Sequence, residues 1–170
     1  MRGHFGNLEK IQKICLENDV ILVEDCAHTL GGKWKGKATG TFGSAGCFSL
    51  QTYKQINAGE GGIIVTDDED LAAKAILYSG SYGLHHQNGN PPSKEVFAKY
   101  EGKIPNFSLR LNELAAAVSL PQLDTLEDRN QEWREIYSYI ENAVQHEKIR
   151  FPTVLPDVIQ APTSIQFFLD

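Results

Sequence analysis

Apolar residues recur at three- and four-residue intervals through Leu8, Ile11, Ile14 and Cys15, behind Asn7, a residue suited to cap a helix, and Asn18-Asp19 closes the segment. Periodicity then stops. "VILVED", residues 20–25, is a short β-branched run without polar alternation, the pattern of a strand covered on both faces. A helix feeding such a strand predicts a layered α/β fold. Residues 31–46, "GGKWKGKATGTFGSAG", are glycine-rich and aperiodic, and read as a loop with tight, hairpin-like turns. Two further strands are predicted at 45–50, "AGCFSL", and 61–66, "GGIIVT". Asp67 and Asp68 then stand ready to cap an amphipathic helix, "EDLAAKAILYSG", that stops at Gly80. Residues 81–97, rich in Gly, Asn and Pro, read as a long loop. From Asn112 the positions Leu114, Val118, Leu126, Trp133, Tyr137, Ile140 and Val144 predict helix for about three dozen residues, kinked or split by Pro121. The chain from Arg150 is extended and ends on a strand-like run, "SIQFFL".

Composition narrows the class without changing this outline. At 170 residues, 41% hydrophobic and 22% charged, the chain has enough apolar surface for one globular folding unit. A net charge of −6 with scattered Lys and Arg argues against nucleic acid or an anionic membrane as partner. Cys15, Cys26 and Cys47 have no C-x-x-C spacing and apolar neighbours, so they read as reduced core thiols of a cytoplasmic protein. "MRGHFGNLEK" has no apolar signal core, and no segment approaches the roughly 18 apolar residues that span a bilayer.

Polar residues cluster just past two predicted strands, in "VEDCAH" (23–28) and "FSLQTYK" (48–54). In open α/β sheets the crevice beyond the carboxyl ends of the strands is where ligands bind, so the two clusters can converge. A carboxylate, an imidazole, a hydroxyl and an amine, here Asp25, His28, Ser49 and Lys54, are the groups that hold pyridoxal phosphate. The lysine forms the Schiff base, and the acid keeps the ring nitrogen protonated by opposite charge. The glycines at 59–62 would let the backbone turn close to such a cofactor.

Each group also has an ordinary reading. Asp25 can cap the next turn, His28 can be a satisfied core or surface histidine, Lys54 can be solvated, and "GEGG" can be only a turn. That stretch matches neither standard phosphate-loop spacing. The His85-His86 pair has no further ligands at suitable spacing, so no metal site is expected. Order and spacing taken together move the balance towards the cofactor.

The stretch 21–83 resembles the core of the DegT/StrS-type aminotransferases, pyridoxal-phosphate enzymes of the aspartate aminotransferase superfamily. It does so through E-D-x-A-H, K-G-K-x-x-G-T, F-S-x-Q-x-x-K and G-E-G-G-I-I-V-T-D-D. The resemblance implies pyridoxal 5'-phosphate with Asp25 on the pyridinium nitrogen, Ala27 packed on a ring face and His28 near the ring hydroxyl. It further implies Ser49 on the phosphate, Gln51 among the cofactor contacts and Lys54 as the Schiff-base lysine. Residues 108–129 resemble the family's N-[YF]-R-[ML]-x-E-x-x-A-A segment, which reaches the neighbouring subunit's cofactor in a homodimer with shared active sites. The position matching the family asparagine is Ser108, and Asn106 lies two residues earlier, so this contact falls on Asn106, Ser108 or Arg110.

The implied fold is a partial large domain of a fold-type-I transferase: a mixed or parallel sheet flanked by helices, with a long C-terminal helix. Residues 1–150 would be the central and C-terminal part of that domain, and 151–170 the start of a truncated small domain. The implied reaction moves an amino group from glutamate or glutamine to a keto-sugar, nucleotide-linked, or to a keto-cyclitol, in polysaccharide or secondary-metabolite sugar biosynthesis. Lys54 argues against the family's sugar dehydratases, in which histidine replaces this lysine. Two other readings stand beside it: a truncated or degenerate member without turnover, and a non-catalytic α/β binding or scaffold protein.

Overall fold

The computed structural model of the chain describes residues 2–80, 82, 84 and 89–170, so the His85-His86 pair lies outside the described residues. Helix α1 (Leu8–Glu17) starts where the Asn7 side chain accepts the Lys10 N–H at 2.8 Å. It closes at Asn18, and Asp19, with φ of 53°, reverses the chain towards strand β1 (Val23–Asp25). Strands β2 (Lys33–Trp34) and β3 (Lys37–Ala38) form the expected tight hairpin. Its turn residues Lys35 and Gly36 both have positive φ, the geometry that matches strand twist.

Strand β4 (Ala45–Ser49) runs parallel to β1, and β5 (Gly62–Val65) runs antiparallel to β4, giving a mixed sheet of order β1-β4-β5. β1 is shorter than "VILVED" and is not covered on both faces. Val20, Ile21 and Val23 are 56%, 78% and 57% exposed, and the buried residue of the strand is Glu24. The cause is local: the segment 40–43 covers that face with backbone N–H groups, which call for a carboxylate.

Helix α2 (Glu69–Ser79) is capped by Asp68 on the Leu71 N–H and ends at Gly80 in the left-handed conformation, as expected. The stretch read as a long loop contains a short helix, α3 (Lys94–Ala98). Ser93 caps it, and Val96 and Phe97 bury against Ala73 of α2, so tertiary packing forms an element too short to show a period. Helix α4 (Glu113–Asp124), capped by Asn112, and helix α5 (Leu126–Ala143) replace one long helix. The division falls at Thr125; Pro121 lies inside α4, in its last turn.

Strands β6 (Ile149–Arg150), β7 (Val158–Ile159) and β8 (Phe168–Leu169) follow, with β6 paired to β8. β7 returns to pair with β2, and Val158 packs with Phe5 on the cluster of Leu8, Trp34 and Phe42. All three cysteines are free, but only Cys26 is a core thiol; Cys15 and Cys47 are half-buried. Among the described residues no helix is long and apolar enough to cross a membrane.

Candidate active site

Asp25 closes β1 and Ser49 closes β4, and the two strands are parallel neighbours with Asp25 level with Cys47. Their side chains therefore stand at the carboxyl end of the sheet, where ligands gather in this class of fold. Asp25 is exposed, and one carboxylate oxygen accepts the Ala27 N–H at 3.1 Å. That bond is the ordinary turn-capping role; the second oxygen has no hydrogen-bond partner among the described residues.

The adjacent Glu24 faces the other way. Its buried carboxylate accepts the N–H groups of Gly40 at 2.7 Å, Phe42 at 2.6 Å and Gly43 at 2.8 Å. A Cβ on Gly46 of β4 would collide with the Gly40 backbone, so the 40–43 segment is pressed against the sheet. Glu24 thus ties β1 to that segment and fixes where Asp25 ends.

Beyond β4 the chain makes a tethered loop, with Leu50 N–H on the Gly61 carbonyl and Ala58 N–H on the Leu50 carbonyl, both at 2.9 Å. Gln122 of α4 grips the loop through both backbone groups of Asn57, at 2.9 and 2.8 Å. The crowding that excludes a Cβ at Gly61 comes from Leu111 and Leu50. Within this loop the Lys54 N–H bonds the Gln51 carbonyl at 3.0 Å, and Lys54 Nζ lies 2.9 Å from His28 Nε2. Among the described residues no carboxylate forms an ion pair with Lys54.

Burial, foremost, and then the charges of Lys54 and Arg2 hold the His28 imidazole below its ordinary pKa of 6.5, against the opposing pull of Asp25. With Lys54 Nζ as the donor, the contact makes Nε2 the acceptor and assigns the ring proton to Nδ1. Nδ1 is buried without a partner among the described residues. Ser49 Oγ accepts the Gln51 N–H at 3.2 Å, which leaves its hydroxyl hydrogen free to donate.

Asp25, Ala27 and His28 line a cavity of about 440 Å³ together with His4, Phe5 and Gly6, and Ser49 and Lys54 lie outside its lining. His4 Nδ1 pairs with Gln160 Nε2 at 2.8 Å. The donor set fits pyridoxal phosphate: an amine without a carboxylate partner, a carboxylate oxygen without a donor, a hydroxyl hydrogen to give and a buried imidazole nitrogen unpaired. No group of three or more metal-ligating side chains occurs among the described residues.

Asn106, Ser108 and Arg110 gather elsewhere, around the end of α2. Asn106 Oδ1 accepts the Ser108 N–H at 2.8 Å and fills the space that a Cβ on Gly80 would need. Arg110 donates to the Gly80 carbonyl at 2.6 Å and stacks on Tyr82 at 4.5 Å. Ser108 holds φ of 55°, a left-handed conformation that serine rarely adopts. No hydrogen bond joins these three to Asp25, His28, Ser49 or Lys54 among the described residues.

Two residues escaped the reading of the sequence. Glu24 carried a signal, a charge inside an otherwise apolar strand; Gln55, 1% exposed beside Lys54, carried none.

Comparison with known proteins bears on the whole chain. Residues 1–167 match the model of the DegT/DnrJ/EryC1/StrS aminotransferase family. A GDP-perosamine synthase from Escherichia coli O157:H7 is 33% identical over 138 residues, 79% of this chain and 35% of that protein. A putative L-glutamine:3-amino-2,3-dideoxy-scyllo-inosose aminotransferase from Micromonospora echinospora is 33% identical over 125 residues, 71% of this chain and 28% of that protein. The solved structure of E. coli GDP-4-keto-6-deoxy-D-mannose-3-dehydratase with bound hydrated PLP has the same fold, with a TM-score of 0.80 at 24% identity. It matches 100% of this chain and 45% of its own. The chain spans about a third of the length of the curated relatives it matches.

Proposed function

The chain belongs to the DegT/DnrJ/EryC1/StrS aminotransferase family, and from that premise we propose that it is the lysine-bearing part of a pyridoxal-phosphate-dependent sugar aminotransferase. The amino group passes from glutamate or glutamine to a nucleotide-linked keto-sugar or a keto-cyclitol, in amino-sugar biosynthesis. The substrate classes rest on the relatives' names, one a GDP-sugar enzyme and one a glutamine-dependent cyclitol enzyme. The observation that carries the reading is Lys54 Nζ held 2.9 Å from the neutral His28 ring, near the strand end that bears Asp25.

Bound pyridoxal phosphate supplies an aldehyde that condenses with amines and a ring that takes up the electron pair released at the donor's α-carbon. The roles of the chain's own residues follow from their chemistry. Lys54 Nζ would hold the cofactor and, as a free amine, would serve as the base and acid that moves the proton released at the donor's α-carbon. Asp25 would meet the ring nitrogen with the oxygen that has no partner among the described residues, stabilising positive charge there. Ala27 would pack on the ring face, His28 would orient the ring hydroxyl, Ser49 would donate its hydroxyl hydrogen to the phosphate, and Gln51 would border it. Asn106, Ser108 and Arg110, clustered apart from Lys54, face the cofactor of a second copy in a homodimer. Residues 1–150 belong to the cofactor-binding domain and 151–170 begin the next. Three free thiols suit the reducing cytoplasm.

Incubation with pyridoxal phosphate, borohydride reduction and peptide mass mapping tests this. A phosphopyridoxyl group on Lys54, absent from Lys54→Ala, is the expected result. Labelling confined to exposed lysines such as Lys10 would overturn the reading, and labelled Lys54 without amino transfer would favour a degenerate member.

A further inference from the structure

Lys54 and Gln55 are consecutive, and both hold His28, from opposite sides. Lys54 Nζ meets ring Nε2 at 2.9 Å, while Gln55 Nε2 donates to the His28 main-chain carbonyl at 3.1 Å. The same nitrogen donates its second hydrogen to the Ala161 carbonyl at 2.8 Å, 106 positions along the chain. Gln55 and Ala161 are 1% and 0% exposed. Both neighbours of Nε2 are carbonyl oxygens, so the amide orientation is forced: a carboxamide turned the other way would set oxygen against oxygen. The remaining Gln55 oxygen is buried without a partner among the described residues, so the amide is retained there for its two donors rather than for complete pairing.

A second glutamine supplies the contrast. Gln122 anchors the same loop at Asn57 but has no bond to His28 or to the 160–162 segment. Loop anchoring and His28 placement are therefore assigned to different side chains.

We propose that Gln55 is a positioning residue: its carboxamide sets His28 in register with Lys54 and ties that register to the segment around Ala161. The amide is planar, and its nitrogen spans two carbonyls, those of His28 and Ala161, from distant parts of the chain. A shift of the Ala161 backbone moves the shared nitrogen, and with it the His28 carbonyl and ring. The ring then meets Lys54 at a different distance or not at all. The 160–162 segment thus gains a direct mechanical link to the reactive amine. The segment is well placed to transmit displacement, because Gly3 packs against Ala161 and Pro162 so closely that a Cβ there would collide with their backbone.

The link to catalysis rests on the cofactor reading above, but its test does not. In the unsubstituted chain, NMR should find both Gln55 side-chain N–H protons protected from exchange and His28 protonated at Nδ1; rapidly exchanging Gln55 protons would overturn the proposal. Gln55→Asn, too short to reach both carbonyls, and Gln55→Met, which offers no donor, should move the His28 ring ¹⁵N shifts. They should also slow the reaction of Lys54 with pyridoxal phosphate by about tenfold to a hundredfold, the scale that misplacement by about 1 Å can cost. Gln122→Met should lower the melting temperature while leaving both readouts as in the parent. If Gln122→Met shifts them equally, or if folded Gln55→Asn leaves His28 unchanged, Gln55 is only a loop anchor. Lys54 that fails to react in the parent counts against the cofactor reading alone, since the His28 shifts still report on Gln55.

Discussion

Asp25 lies level with Cys47 across the parallel β1–β4 pair, so its carboxylate emerges at the sheet's end just short of Ser49. One of its oxygens caps the Ala27 N–H and the other is unpartnered. Asp25→Asn keeps a carbonyl oxygen for the cap and removes only the charge. Phosphopyridoxyl labelling of Lys54 should survive in this variant, while glutamate-driven amination of the cofactor, followed by absorbance in single turnover, should slow by about a hundredfold or more. Asp25→Ala should lose stability as well, because the cap goes with the charge.

The two half-buried histidines that line the cavity make stability fall on mild acidification. Burial is the leading cause that holds both His4 and His28 below the ordinary 6.5. The unfolded chain therefore binds more protons than the folded one between each lowered value and about 6.5. Stability from these groups is complete above that window and declines as pH falls through it. Urea midpoints should drop on acidification from pH 7 to pH 5, and a His28→Gln variant should show a shallower drop. Equal slopes in parent and variant would count against this assignment.

Glu24 holds three backbone N–H groups in the interior. Glu24→Ala strands them without partners, and unfolding free energy should fall by about 3 kcal/mol or more, given about 1–3 kcal/mol for each buried donor left unpaired. Chemical denaturation measures it. A loss below about 1 kcal/mol would mean that water reaches the 40–43 segment.

Ser108 sits at φ of 55°, where a left-handed backbone costs an ordinary residue roughly 1–2 kcal/mol and asparagine less. Ser108→Asn should raise unfolding free energy by up to about 1 kcal/mol. Ser108→Gly should gain less, because glycine gives back entropy in the unfolded chain, roughly 0.5–1 kcal/mol. Both are read from denaturant midpoints, and a destabilised Ser108→Asn would be the contrary result.

The elements that could be read from the sequence were those whose cause is local. Asn7 before α1, and Asp68 and Gly80 around α2, are capping residues acting within one turn, and Lys35-Gly36 is a two-residue turn. α3 was invisible because it owes its existence to Val96 and Phe97 meeting Ala73, a contact between elements. β1 was misread as doubly covered because "VILV" is apolar throughout, whereas Val20, Ile21 and Val23 are exposed and Glu24 is the buried residue. The Thr125 break escaped notice because proline draws attention to itself, yet Pro121 in the last turn of α4 leaves the helix intact until the turn is finished. Lys54 and Asp25 stood out in the sequence through their places past two predicted strands and through the family motifs they fall in. Gln55 follows no local rule: its two partners come from distant parts of the chain.

The return of β7 to β2, and of Ala161 to Gln55, has a consequence for the order of assembly. Lys54 and His28 leave the ribosome before the carbonyl that completes the grip on their neighbour, which is made 106 positions after Gln55. Long-range closures are entropically costly and come late in folding. During synthesis Lys54 and His28 therefore precede the partner that completes the Gln55 grip, and that grip closes only once Ala161 has been made and has docked.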